Sequence, residues 1–278
     1  MENKIIVDSS IDFSDDKEVI SEEIDRVPFK ILIDNDEITD LNLNTEELIT
    51  KMKSSRKQIK TACPSPDEYM NSFSKEGASF VVTISAALSG SYNSAVLAKN
   101  MFLEKMPEAL VHIFDTKSAS SGATLVALKV KQLIKENLNF NDIVDATNKY
   151  ISKLKTLFIL DSLDNLAKNG RISGVKAMVA SLLHIVPIMG ENGNGEIVLV
   201  EQVRGNKKAF NRLIDMIGEY NIDFENTILG ITHSNAKAKA ESLKEELLKR
   251  YKFKDILIFK AGGLSTVYAD DGGIVVAF

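Results

Sequence analysis

The chain holds a single cysteine, Cys63, so no disulfide can form within it. Its three histidines, His112, His184 and His233, show no paired spacing and offer no metal site. No apolar run approaches the roughly 20 residues a bilayer span needs. The longest, 175–189, is interrupted by Lys176, His184 and Pro187. The opening MENKIIVDSS lacks the apolar core of an export signal. With one unpaired thiol, this makes the cytoplasm the expected compartment. Basic charge is not in excess: 34 Lys and Arg against 39 Asp and Glu leave a net charge of -5. Nucleic acid, which demands a basic face, is therefore not the expected partner. There is no G-x-x-x-x-G-K-[ST] phosphate loop for ATP and no G-x-S-x-G nucleophile elbow. The glycines of 190–195 do not follow the G-x-G-x-x-G order.

What the chain does have is the composition of a globular protein, 44% hydrophobic and 26% charged over 278 residues. The first half alternates strand and helix patterns. Strands are expected at 5–7, 27–33, 80–84 and 111–114, and a helix start at Ser14. Asn44 with Glu47, and Ser65-Pro66-Asp67-Glu68, read as helix starts with capping boxes. Two helices are expected within 118–153. Such alternation implies a parallel sheet with helices on both faces. The second half reads as α+β, with strands near 157–160, 227–232, 256–259 and 273–278. Asn192-Gly193-Asn194-Gly195 marks a hairpin between 186–189 and 196–202. The expected class is thus α/β: an N-terminal parallel-sheet domain, 1–155, and a C-terminal α+β domain, 156–278.

One stretch, VVTISAALSGSYNSA at 81–95, sets hydroxyls and a glycine between a strand and a helix. Helix starts carry unpaired N–H groups and favour an anion. Ser89 and Ser91 can donate O–H groups, and Gly90 allows close approach. The same residues also suit a plain N-cap in an ordinary loop. Thr61, in a loop stiffened by Pro64 and Pro66, can point into the same cleft or simply connect two elements. Asp8-Ser9-Ser10 ends the first strand, at the usual rim of such a cleft or as a turn. Gly170-Arg171 reads as a helix C-cap followed by a surface arginine. No base stands beside the serines, so none is a nucleophile candidate. No catalytic residue or cofactor is assigned.

Taken in order, seven segments give the chain a family resemblance: VDSSIDF, TACPSP, LSGSYNSA, IFDTKSASSG, LDNLAKNGRIS, LLHIVPIM and VRGNKKA. Together they resemble the DegV family of bacterial fatty-acid-binding proteins. The resemblance implies a two-domain fold that buries an acyl chain and holds its carboxylate with hydroxyls. Those hydroxyls map onto Thr61, Ser89 and Ser91. Some relatives present the acid to a separate kinase, which fits the missing ATP loop. Arg171, inside a family motif, is then expected at the cleft mouth, exposed and facing that protein partner. The family's T-S-Q-P serine and glutamine are Ala62 and Cys63 here. Its C-terminal histidine is missing too; Tyr268 stands near that position, followed by Asp270 and Asp271.

Two readings result. The first is a carrier of a long-chain fatty acid, with apolar wall residues such as Phe80, Ile84, Leu88, Ile185, Val186 and Ile188. The second is a sugar-phosphate enzyme of the isomerase type, using Ser89-Gly90-Ser91 as its phosphate loop. An apolar tunnel distinguishes the first and a small polar pocket the second.

Overall fold

The structure, a computed structural model, describes residues 3–13, 24–172 and 184–278. The helix start expected at Ser14 and part of the LLHIVPIM motif lie outside these residues.

Strands β1 (Lys4–Asp8), β2 (Ile24–Val27), β3 (Lys30–Ile33) and β4 (Asp36–Thr39) lead to helix α1 (Thr45–Ser54). Then come β5 (Lys60–Ala62), α2 (Pro66–Ser72), β6 (Ser79–Thr83), α3 (Ser91–Lys105) and β7 (Val111–Asp115). The Ser65 capping box forms, Ser65 exchanging bonds with Glu68. Asn44 is an N-cap that accepts from the Glu46 and Glu47 N–H groups, but Glu47 bonds its side-chain amide rather than its backbone N–H, so the expected box is not completed there. β1, β2, β6 and β7 make a wholly parallel sheet in the order β2-β1-β6-β7. Its side chains alternate as the pleat requires. Ile5, Val7, Phe80 and Val82 enter one core cluster, while Ile6 and Val81 enter another under α2 and α3.

The single strand expected at 27–33 is two strands that belong to different sheets. Pro28 cannot donate to a ladder, and the chain turns there. β2 stays with β1, whereas β3 leaves to pair antiparallel with β4 and β5. This small sheet packs under α1.

Helices α4 (Ser121–Lys135) and α5 (Phe140–Ile151) follow, then β8 (Thr156–Ile159) and α6 (Asp164–Lys168). The remaining elements are β9 (Ile185–Glu191), β10 (Ile197–Arg204), α7 (Asn206–Glu219), β11 (Ile228–His233), α8 (Lys237–Arg250), β12 (Asp255–Lys260), α9 (Gly263–Ala269) and β13 (Ile274–Ala277). Six of these strands form a mixed sheet in the order β10-β9-β8-β13-β11-β12. β9 and β10 are the expected hairpin.

Helix α4 lies between the two larger sheets, touching β1 and β6 on one side and β11 and β13 on the other. Being buried on nearly all sides explains its run of small residues, Ser121-Gly122-Ala123-Thr124 and Ala127. A Cβ on Gly230 of β11 would reach the Ser121 Cβ at 3.2 Å, which shows how close the helix and sheet backbones run.

Candidate functional site

The carboxyl ends of β1, β6 and β7 face the six-stranded sheet across a partly open cavity. Its atom-free space, mouth included, is about 910 Å³. On β8 the pleat sends Leu157 and Ile159 into the core and leaves Thr156, Phe158 and Leu160 on the cavity wall. Val275 of β13 and Leu264 and Ala269 of α9 continue that wall, with Phe29, Ile84 and Leu88 opposite. The lining is dominated by such apolar groups. Hydroxyls punctuate it: Ser10, Thr61, Ser89, Ser118, Ser120, Thr156, Ser265 and Tyr268.

Counting protons sorts these hydroxyls, since each O–H can be donated once. Ser10 donates to Asp8 Oδ1 at 2.5 Å, and Ser120 donates to Asp12 Oδ2 at 2.5 Å. Both therefore turn lone pairs, not protons, toward the cavity. Thr61 Oγ1 and Tyr268 Oη lie 2.8 Å apart, so one donates to the other and the pair keeps one free O–H. Ser89 accepts from the Ser91 N–H at 3.2 Å and keeps its own proton. Arg171 donates through Nε to the Leu88 carbonyl at 3.2 Å and also bonds the Asn169 carbonyl. Thr61, Tyr268, Ser89 and Arg171 are thus among the donors on the wall; Lys117, whose Nζ bonds the Gly193 carbonyl at 3.3 Å, and the Ser118–Thr156 pair are others.

The residues singled out in the sequence divide accordingly. Thr61, Ser89, Tyr268 and Arg171 line the cavity; Gly90 and Ser91 do not. Ser91 is fully buried and donates to Asp8 Oδ2 at 2.7 Å. The Tyr69 hydroxyl, 2.6 Å away, must then donate to Ser91. Asp8 Oδ2 also accepts the Ile84 N–H at 2.9 Å. The anion at this strand-to-helix junction is the protein's own carboxylate. Burial raises the Asp8 pKa above its ordinary value of 3.8, against the pull of the hydrogen bonds from Ser10 and Ser91. Arg171, expected to be exposed, is half-buried and spans from the α6 terminus to the Leu88 loop. The preceding Gly170, at φ 78°, makes the expected C-cap turn. Of the wall candidates, Ile84 and Leu88 face the cavity, whereas Phe80 and Ile188 are buried in the cores and Ile185 and Val186 do not line it.

Asp270 and Asp271 also stay clear of the cavity. Asp271 binds Lys53 Nζ at 2.5 Å and Asn235 Nδ2 at 2.8 Å, which lowers its pKa.

Two carboxylates that sequence reasoning missed hold the helix carrying Tyr268. Asp12 accepts the Gly262 N–H at 2.8 Å, and Asp40 accepts those of Gly263 and Leu264 at 2.9 and 2.8 Å. They satisfy the open N–H groups at the α9 start. Burial pushes the Asp12 carboxyl up to about 6, and raises that of Asp40 despite the nearby Arg26 guanidinium. The signal for Asp12 was its place in VDSSID; Asp40 acts across more than 220 residues of chain and left none.

Fold and site together define a class: α/β proteins whose two larger sheets enclose an apolar cavity with a few uncommitted donors at its wall. The chain belongs to the DegV family, whose profile, described as uncharacterised protein of the DegV family, matches residues 2–278. A DegV domain-containing protein of Streptococcus pneumoniae is 32% identical, covering 99% of this chain and 98% of its own. A DegV family protein of Ruminococcus gnavus, solved with vaccenic acid, superposes with a TM-score of 0.94. It is 40% identical over 99% of each chain. The Fatty Acid Kinase (Fak) B3 protein of Streptococcus pneumoniae, loaded with linoleic acid, is 32% identical. Its TM-score is 0.92, over 100% of this chain and 99% of that one.

Proposed function

We propose that this protein binds a long-chain fatty acid in the cavity between its sheets and is a carrier rather than an enzyme. The observation that carries the reading is the contrast along the cavity wall: an apolar length, with the free donors of Thr61, Tyr268, Ser89 and Arg171 set in it. The fatty acids bound by the Ruminococcus gnavus and Streptococcus pneumoniae relatives support it. The carboxylate meets the Thr61–Tyr268 pair and Ser89. The acyl chain runs past Leu160 and Phe158. Burying each methylene contributes up to about 0.8 kcal/mol, so the wall supplies most of the affinity and the hydroxyls set direction. A sugar phosphate would leave that wall facing a polar ligand, and the expected phosphate loop is occupied by Asp8.

The reading extends to a partner and a place. The protein hands its bound acid, in the cytoplasm, to a separate ATP-dependent kinase, with Arg171 at the docking edge; the name of the Fak B3 relative supports this. It also divides the chain near residue 155, the 30–62 sheet being docked on α9 of the second part. The test is a calorimetric series of saturated acids from octanoate to stearate. Affinity should climb with each methylene; flat affinity would return the cavity to the sugar-phosphate reading.

A further inference from the structure

Two hydroxyls sit where an acyl chain has no use for them. Ser118 Oγ and Thr156 Oγ1 are 2.7 Å apart, almost fully buried, and both line the cavity. Thr156 is on the same face of β8 as Phe158 and Leu160. Four residues of strand separate it from Leu160, roughly 13 Å at about 3.3 Å per residue. Valine would fill the same space without a polar atom. The backbone makes room for the pair: a Cβ on Gly122 would lie 2.0 Å from Ser118 Oγ and 3.1 Å from Thr156 Oγ1.

The proton count sets this pair apart from the other deep hydroxyls. Ser10 and Ser120 spend their protons on Asp8 and Asp12. In the Ser118–Thr156 pair one O–H serves the mutual bond. Among the described residues the other has no acceptor better placed than the Ala119 carbonyl, 3.3 Å from Ser118 Oγ. The pair is satisfied enough to lie against methylenes. It can still donate one proton to, or accept one from, a polar group on the chain.

We propose that the cavity takes long-chain fatty acids bearing one oxygen, a hydroxyl or keto group part-way along the chain, and that Ser118 and Thr156 receive it. The proposal rests on the fatty-acid reading and names a ligand class within it. A hydroxyl buried in a wholly apolar tunnel would lose about five- to a hundredfold in affinity. At the position that meets the pair, that penalty disappears.

The test compares octadecanoic acid with a series of monohydroxy-octadecanoic acids in which the hydroxyl is moved along the chain. The proteins are wild type, Thr156→Val and Ser118→Ala/Thr156→Val. One mid-chain position should bind wild type within about threefold of octadecanoic acid, while its neighbours fall by about tenfold or more. Both variants should lose about tenfold more on the favoured hydroxy acid than on octadecanoic acid. A uniform penalty at every position would overturn the proposal and leave the fatty-acid reading intact. So would equal losses on both ligands in the single and double variants, which mark a structural pair. If octadecanoic acid itself failed to bind wild type, both readings would fall.

Discussion

Two groups, the buried Asp12 and the half-exposed His112, titrate in the same pH window with opposite consequences, and their substitution separates them. Burial lifts the Asp12 carboxyl from 3.8 to about 6. A raised folded pKa means that the native state holds the proton more tightly. Its contribution is fully present below about 3.8 and is lost as the pH rises through 6. His112 runs the other way. Burial, then the charge of Lys99, lowers its pKa from 6.5 to about 4, and its ring packs 4.5 Å from that of Phe114. The unfolded chain takes up that proton first, so stability is present above 6.5 and lost as the pH falls toward 4. At 1.36 kcal/mol per pKa unit, acidification from pH 7 to pH 5 gains about 1 kcal/mol through Asp12. The half-exposed His112 ring, discounted for solvent screening, costs about 1 kcal/mol over the same range. Asp8 and Asp40, also raised by burial, act in the direction of Asp12. Each variant is therefore read against wild type. In urea titrations between pH 7 and pH 5, His112→Gln should gain about 1 kcal/mol more than wild type on acidification. Asp12→Asn should gain about 1 kcal/mol less. Three parallel curves would refute the assignment of these pKa shifts to burial.

Ser91→Ala should destabilise the fold by about 1–3 kcal/mol, because Asp8 and Tyr69 both lose a partner, while palmitate affinity holds. Lost affinity with unchanged urea stability would put Ser91 back at the head group. Thr61→Val and Tyr268→Phe should each weaken palmitate binding by about 1 kcal/mol, and calorimetry on the double variant should show a coupling of at least about 0.5 kcal/mol. Additive losses would mean that the two hydroxyls do not act as a pair. Gly263→Ala would put a Cβ 2.3 Å from Asp40 Oδ1. It should lower stability by about 1–3 kcal/mol and loosen α9, read as lost amide-exchange protection over Gly263–Ala269.

Much of the fold was legible because local chemistry and tertiary packing agree in it. Ser65-Pro66-Asp67-Glu68 is a complete helix start by itself, and the structure uses every part of it. The buried strands β1, β6 and β7 read as short apolar runs because both faces are covered by helices. The small sheet was illegible for the opposite reason. β5 is three residues, Lys60-Thr61-Ala62, with Lys60 and Ala62 solvent-facing, and is a strand only because β3 offers it an edge. Helix α9 begins at Gly262-Gly263, which reads as a loop until Asp40 and Asp12 arrive from elsewhere in the chain to cap it.

The LSGSYNSA segment shows where such reading reaches its limit. Hydroxyls and open N–H groups at a helix start do attract an anion. What local sequence could not contain was the identity of that anion. Asp8 lies over 80 residues away in the chain, and only the parallel pairing of β1 with β6 brings its carboxylate to the Ile84 N–H and the Ser91 hydroxyl. Once Asp8 fills the junction, the loop has one uncommitted hydroxyl left among the described residues, that of Ser89, and the proposed ligand site shifts to the next layer out. There Tyr268 stands near the place of the family's histidine and shares a proton with Thr61. A histidine can carry positive charge toward a carboxylate and a tyrosine cannot. On the proposed reading, head-group affinity then rests on neutral donors with Arg171 and Lys117 on the wall, and the acyl wall carries the larger share of the binding.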